Sequence, residues 1–353
     1  MREQLEMQAN QIDLVLASHK IASRVVGGTV TPLNVRFDLA MRMDTRLAEL
    51  KGLSEELALS LHAPSCRVVR DNGALSIEVP RSDPVRVALL DVCRRLAYAP
   101  TCSPVLGLDD KGTPLLLNLP SPDGAHALIA GTTGSGKTAL ARTMALSLGM
   151  HNAQRQLQLL LIDPKARGFT PLAGLPHLLC APLTTVPEAL AKLTWLVQEM
   201  ERRDAEASSL PRIVVFIDEL ADLLMMGGKE MEYAITRLSQ RGREAGVHLV
   251  ACTQKPTVAV LGSLTKANFP VRIVGTVTSP EEARTAAGIS GTGAERLQGR
   301  GDFLLVHKGH TSRFAAAYIS PDETRQEVAR MQVSNTARAY WRGETGLVLR
   351  QVK

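Results

Sequence analysis

The sequence predicts an α/β protein whose larger domain is a mostly parallel sheet with helices on both faces, preceded by a small α+β domain. Three observations predict it. Ala127 to Ala130 is a short apolar run that feeds directly into a glycine-rich turn and then an alanine- and leucine-rich segment, the order strand, tight loop, helix. Ile213 to Ile217 is a second apolar run and ends on Asp218-Glu219. From Pro114 onward, strand-like and helix-like patterns alternate, which places crossover helices against a parallel sheet.

Taken in order, residues 4–20 space Leu5, Ile12, Leu14 and Leu16 roughly as a helix does, and Arg24 to Thr31 reads as strand and turn. Val35 to Met41 alternates like a strand, and Leu47 to Leu61 carries the i, i+3, i+4 pattern of an amphipathic helix. Two strand-like runs, Cys66 to Arg70 and Ala74 to Val79, flank Asp71-Asn72-Gly73, the residue types that a tight hairpin turn requires. These elements make a small α+β domain over residues 10–82, after an extension of residues 1–9. Residues 83–113 read as a junction, with a helix from Asp83 to Leu96 and then a loop rich in Pro and Gly. The larger domain spans residues 114–320, with strands at Leu157 to Ile162, Arg212 to Ile217, Val247 to Cys252, Val271 to Val277 and Phe303 to Val306. Its helices are expected at Val186 to Ala207 and Glu230 to Glu244, and residues 321–353 hold one further helix and a polar tail.

Composition narrows the function classes. Hydrophobic residues make up 45% of the 353, enough for a sizeable core, and only 3% are aromatic, which leans against recognition of single strands by base stacking. The net charge of +6 is unevenly placed: +1 over residues 1–99, −2 over 100–228, +5 over 229–313 and +2 over 314–353. A surplus downstream of the glycine-rich loop favours an anionic partner, and an ordinary solvated face accounts for a charge of this size as well. Five cysteines form no C-x-x-C pair and the histidines have no metal-ligand spacing, so both read as structural. The N-terminus lacks a signal-like apolar core and no stretch approaches 18 apolar residues, so a cytoplasmic location is expected, with no membrane segment in this chain.

The glycine-rich loop Gly131-Thr-Thr-Gly-Ser-Gly-Lys137-Thr138 is a P-loop. The backbone of Gly131, Thr132, Thr133, Gly134, Ser135 and Gly136, with Lys137, Thr138 and Ala139 at the helix start, is expected to cradle the phosphates of ATP. Lys137 can reach the β- and γ-phosphates, and the Thr138 hydroxyl can hold Mg²⁺. Asp218, at the end of a buried strand, is the second expected Mg²⁺ residue. Glu219 stands where a hydrolase needs a carboxylate to orient and deprotonate water. One complete strand lies in sequence between the P-loop and Asp218-Glu219, an order typical of motor-type, RecA-like ATPases rather than nucleotide kinases. Thr253-Gln254 closes the next strand, and Gln254 is read as a sensor at the γ-phosphate edge.

Six stretches in this order resemble the FtsK/SpoIIIE double-stranded DNA translocases. They are the P-loop from Ala130, Ile162-Asp-Pro-Lys, Gly174-Leu-Pro-His-Leu-Leu, Phe216-Ile-Asp-Glu-Leu-Ala-Asp-Leu, Arg243-Glu-Ala-Gly-Val-His-Leu and Thr253-Gln-Lys-Pro. The resemblance covers nearly the whole chain, since residues 10–82 look like the small domain that precedes the motor in that family. It implies a homo-hexameric ring that pulls duplex DNA through its channel. It also implies that Arg243 is a finger reaching the neighbouring subunit's site, and that Lys255, Lys266 and Arg284 are channel-loop DNA contacts. Two departures bear on grip: lysine replaces the usual arginine in Thr253-Gln-Lys-Pro, keeping the charge but losing the bidentate fork, and Pro280 stands where a lysine is common.

Relatives usually add an N-terminal anchor and a C-terminal winged helix. With Met1 close before the small domain and a short tail after Ser320, the chain is expected to be either a trimmed motor or a stand-alone member, with sequence-guided transport in doubt. Two other readings compete. A type VII-like secretion ATPase would move polypeptide, and the basic loop positions and single motor domain count against it. A nucleotide-binding scaffold without hydrolysis is disfavoured by Glu219. Chromosome partition, plasmid transfer and genome packaging are all compatible with such a motor, and any recruiting partner is unknown.

Overall fold

The structure is a computed structural model and describes residues 2–41, 47–71, 74–254, 256, 268–333 and 350–352. It divides into two compact units, Met1–Arg86 and Val87–Lys353.

In the first unit, the helix α1 (Arg2–Ser18) buries Ile12 and Leu16, four residues apart and therefore on one face. The strands β1 (Ser23–Val30), β2 (Asn34–Met41), β3 (Arg67–Asp71) and β4 (Ala74–Pro80) form an antiparallel sheet in the order β1-β2-β4-β3. Alternation sets the register. Val35, Phe37 and Leu39 of β2 stand opposite Val79, Ile77 and Leu75 of β4, and all six are buried. The expected helix over residues 47–61 is two short helices, α2 (Leu47–Gly52) and α3 (Ser54–Ser60), with Leu53 between them. Leu50 and Leu57 enter the same core as Ile12 and Phe37.

The second unit opens on β5 (Val87–Ala88) and α4 (Leu89–Arg95), so the helix expected from Asp83 begins six residues later. Pro84 accounts for part of this, since a proline disfavours helical backbone in the residue before it. The loop expected before residue 114 contains β6 (Val105–Asp109), which pairs with β7 (Pro114–Leu117). Then come β8 (His126–Ala130), α5 (Lys137–His151), β9 (Leu157–Ile162), α6 (Val186–Ala205) and β10 (Arg212–Ile217). They are followed by α7 (Leu220–Arg241), β11 (Val247–Thr253), β12 (Val271–Val274), α8 (Pro280–Ala287), β13 (Asp302–His307), β14 (His310–Tyr318), α9 (Pro321–Val333) and β15 (Arg350–Val352).

The strand order is β15-β7-β6-β14-β13-β12-β8-β11-β10-β9, with β5 paired to β14. Strands β9, β10, β11, β8 and β12 run parallel, the P-loop NTPase arrangement that the sequence predicts. From β12 through β13, β14 and β6 to β7 the neighbours are antiparallel, so the sheet is mixed. In the parallel part, alternate residues serve opposite faces. Leu160, Ile162, Ile213, Val215 and Leu249 pack with Leu193 and Leu196 of α6 and Ile235 and Leu238 of α7. On the other parity, Cys252 reaches the first turn of α5. Helix α5 is buried from Leu140 to Met150, which explains its apolar composition on every side. Because β8 has β11 on one side and β12 on the other, the chain switches direction of winding at its C-terminal end, where a crevice opens.

Candidate nucleotide site

That crevice holds the P-loop. Gly134 and Gly136 have φ of 84° and 103°, in the range where a side chain is strained, and Gly136 immediately precedes α5. The loop is stapled to its surroundings through backbone. Thr132 donates its N–H (2.8 Å) and its hydroxyl (3.1 Å) to the Thr276 carbonyl, and the Gly131 N–H reaches the Thr253 carbonyl at 3.3 Å. From the outer side, Arg300 and Gly301 donate their N–H groups to the carbonyls of Gly134 (3.3 Å) and Ser135 (3.0 Å). Asp302 is fully buried and anchors this clasp by accepting the Gln298 N–H and a two-pronged ion pair from Arg313 at 2.8 and 2.7 Å.

Lys137 is buried at the centre of the loop and donates to the carbonyls of Gly131 and Thr132, both at 2.8 Å. Burial pushes its ammonium below the usual lysine range, and the carboxylates of Glu219 and Asp218 act against that shift. The Thr138 hydroxyl donates to Asp218 Oδ1 at 2.6 Å. Burial raises Asp218, and the Thr138 bond partly offsets it.

Glu219 is raised for the same reason, and its two oxygens accept the Gln254 N–H, both at 3.2 Å. The Gln254 side-chain oxygen accepts from the Thr133 hydroxyl at 2.7 Å, so Gln254 links the loop to the carboxylate. A carboxylate oriented in this way, buried and with its proton affinity raised, is suited to accept a proton from water.

Sequence reasoning missed a wall of this site. Beyond β9 the chain turns back at Asp163, and Asp163 Oδ2 accepts the N–H groups of Gly168 (2.7 Å) and Phe169 (3.0 Å). A Cβ on Gly168 would lie 2.4 Å from Thr138 Cγ2 and 3.3 Å from Asp218 Oδ1, so the loop abuts the two expected metal residues. Asp163 Oδ1 is buried and has no hydrogen-bond partner. Lys165, on the same loop, pairs with Asp222 of α7 at 2.8 Å. The available signal was the acidic end of the β9 run and the glycine five residues on. The clasp at residues 299–301 carried a comparable signal, an arginine between two glycines.

These observations fit a magnesium ion. The donors are hard oxygens, the glycine leaves space that a Cβ would fill, and one buried carboxylate oxygen lacks a donor.

The remaining expected residues lie apart from this cluster. Arg243 follows the C-terminus of α7, partly exposed and paired with Glu244. Arg284 is exposed on α8, where its charge helps hold the Glu281 carboxyl below its usual range, after hydrogen bonds from Glu281's own backbone and Ser279. Lys255 and Lys266 lie outside the described residues. Among the described residues, no helix is long and apolar enough to cross a membrane.

The family model for the FtsK/SpoIIIE family matches residues 99–209 and 204–258, and that for the FtsK alpha domain matches residues 1–81. The DNA translocase SftA of Bacillus subtilis is 35% identical over 332 residues, 86% of this chain and 34% of that protein. The DNA translocase FtsK of Caldanaerobacter subterraneus subsp. tengcongensis is 36% identical over 346 residues, 91% of this chain and 48% of that protein. The chain thus spans between a third and a half of the length of these relatives. Among solved structures, the pCW3 conjugation coupling protein TcpA, in its monomer form with ATPγS, aligns with a TM-score of 0.60 at 19% identity, over 92% of this chain and 99% of that one. The cytoplasmic domain of the Thermomonospora curvata type VII secretion ATPase EccC gives 0.60 at 24% identity, over 70% of this chain and 34% of that one. Both likenesses concern the fold.

Proposed function

The chain belongs to the FtsK/SpoIIIE family, and from that premise we propose that it is an ATP-driven motor that moves along double-stranded DNA as a homo-hexameric ring. The observation that carries the hydrolytic part of this reading is the chain of contacts from Thr133 through Gln254 to Glu219. It ties the phosphate loop to the carboxylate that would act on water.

In this reading, ATP phosphates lie on the backbone amides of residues 131–139 and Lys137 turns from the loop carbonyls toward them. Thr138 and Asp218 would hold a magnesium ion, which neutralises phosphate charge when bound. Glu219 takes a proton from the attacking water, and Gln254 relays the state of the γ-phosphate to the end of β11. Arg243, partly exposed beyond α7, serves the neighbouring subunit's nucleotide. Lys255, Lys266 and Arg284 contact DNA phosphates without reading bases, so binding is steeply salt dependent. The setting is the cytoplasmic side of DNA partition, transfer or packaging.

The test is ATP hydrolysis by the chain with and without linear duplex DNA. Duplex raises the rate, and Glu219→Gln still binds ATP while turnover falls by about 10²-fold or more. A rate indifferent to duplex, or a Glu219→Gln protein that hydrolyses like the parent, overturns the reading.

A further inference from the structure

Asp163 is 1% exposed and its two carboxylate oxygens have unlike surroundings. Oδ2 is saturated by the Gly168 and Phe169 amides, and Oδ1 has no donor at all. A buried carboxylate oxygen without a donor is costly, and a bound water or ion is one way in which proteins complete such an atom. The charged groups around it do not fill the role. Lys165, two residues on, is partly exposed and engaged with Asp222, and buried Arg142 directs its guanidinium to the carbonyls of Gly168 and Ile319.

The position of Asp163 points to the missing donor. β9 and β10 run parallel in register, Ile162 beside Ile217, so Asp163 and Asp218 follow side by side at the sheet edge. The loop that Asp163 pins presents Gly168 against Thr138 and Asp218. Magnesium keeps several of its waters when bound by one or two protein oxygens and phosphates, and those waters are strong donors.

We infer that Asp163 is a positioning residue for the nucleotide's metal, its Oδ1 accepting a hydrogen bond from a water of the magnesium hydration shell while its Oδ2 fixes the loop that walls the site. The same carboxylate therefore closes the loop and seats the ion. The inference rests on the nucleotide reading above, and the experiment separates the two.

Binding of a fluorescent ADP analogue to the full chain is followed as Mg²⁺ is added. In the parent, affinity rises with Mg²⁺; a parent that does not bind the analogue overturns the nucleotide reading, and one that binds it with an affinity indifferent to Mg²⁺ overturns this inference alone. Asp163→Asn keeps an oxygen for the Gly168 and Phe169 amides and replaces the free acceptor with an NH₂ group. Its metal-free affinity and unfolding temperature stay at the parent's values, and the Mg²⁺ concentration at half-maximal affinity rises about tenfold or more, the range for loss of an outer-shell partner. A midpoint within about twofold of the parent's, against that tenfold expectation, shows that the residue only holds the loop. A structure of the parent with ATPγS and Mn²⁺ gives an independent check, since a metal-bound water about 3 Å from Asp163 Oδ1 is required. A hydration shell that does not reach this oxygen overturns the inference.

Discussion

At the scale of single residues, the site is set by where side chains are missing as much as by where they are present. Gly168 has a backbone that other residues could adopt, yet a Cβ there would meet Thr138 Cγ2 at 2.4 Å. Thr138 cannot simply turn away, because a β-branched side chain has few rotamers and rotation would break the hydroxyl bond to Asp218. Gly168→Ala is therefore expected to leave the fold standing at a cost of about 1–3 kcal/mol and to weaken magnesium-dependent nucleotide binding at least tenfold. Denaturant unfolding and nucleotide titration on the same variant measure the two effects, and parent-like affinity would show that the loop yields without disturbing Thr138. That Lys137, Thr138, Asp218 and Glu219 gather in one crevice was legible in sequence because each lies in a contiguous run of distinctive composition. Asp163 and Gly168 were not, since their roles come from a chain reversal that brings backbone amides onto a carboxylate.

At the scale of elements, α7 runs from Glu219, the proposed base, toward Arg243, the proposed finger, and is not a uniform helix. The sequence pattern begins it at Glu230. In the structure the helix starts at Leu220, directly after Glu219, and runs through a kink at Gly228 with φ of 61° and ψ of −153°. That conformation is almost closed to residues with a side chain, although the space around Gly228 is open. Gly228→Ala is expected to destabilise by about 1–3 kcal/mol through backbone strain alone, measured as a lowered urea midpoint. An unchanged midpoint would mean that the helix straightens without cost.

The strands that sequence reading passed over have a common physical cause. β6 contains Gly107, whose Cβ would lie 2.0 Å from the Ala315 carbonyl, so close strand approach forces a glycine that reads as loop. β14, HTSRFAAAY, has few β-branched residues and owes its form to pairing with β13 and β6. Parallel strands, buried on both faces, announce themselves as apolar runs, and these antiparallel ones do not.

At the scale of the whole molecule, the larger unit is expected to lose stability in acid for a reason remote from the P-loop. His126 and His248 stand at the opposite end of β8 and β11 from the P-loop, with ring centroids 6.4 Å apart. Burial pushes their imidazoles down to about 3 and about 4, with each also depressed by a neighbouring positive charge, from His248 and Arg212 respectively. Unfolded, both titrate near 6.5, so below that pH the unfolded chain takes up protons that the folded chain refuses, and stability falls with pH until the folded values are reached. Together they remove about 3–4 kcal/mol between pH 7 and pH 5. Partly buried His151 and buried His177 are also lowered and act in the same direction. Urea unfolding at the two pH values tests this, and a midpoint that does not drop between them would contradict it.

The clasp at residues 299–301 touches the P-loop through the N–H groups of Arg300 and Gly301, with Asp302 and Arg313 locking its base. No side chain of the clasp takes part in those two contacts. Position 300 acts through its backbone, with φ of 51°, between glycines at 299 and 301 with φ of 71° and 101° and above the Asp302–Arg313 pair. The grip on the P-loop therefore runs along main chain, and replacing the Arg300 side chain leaves both of its hydrogen bonds in place.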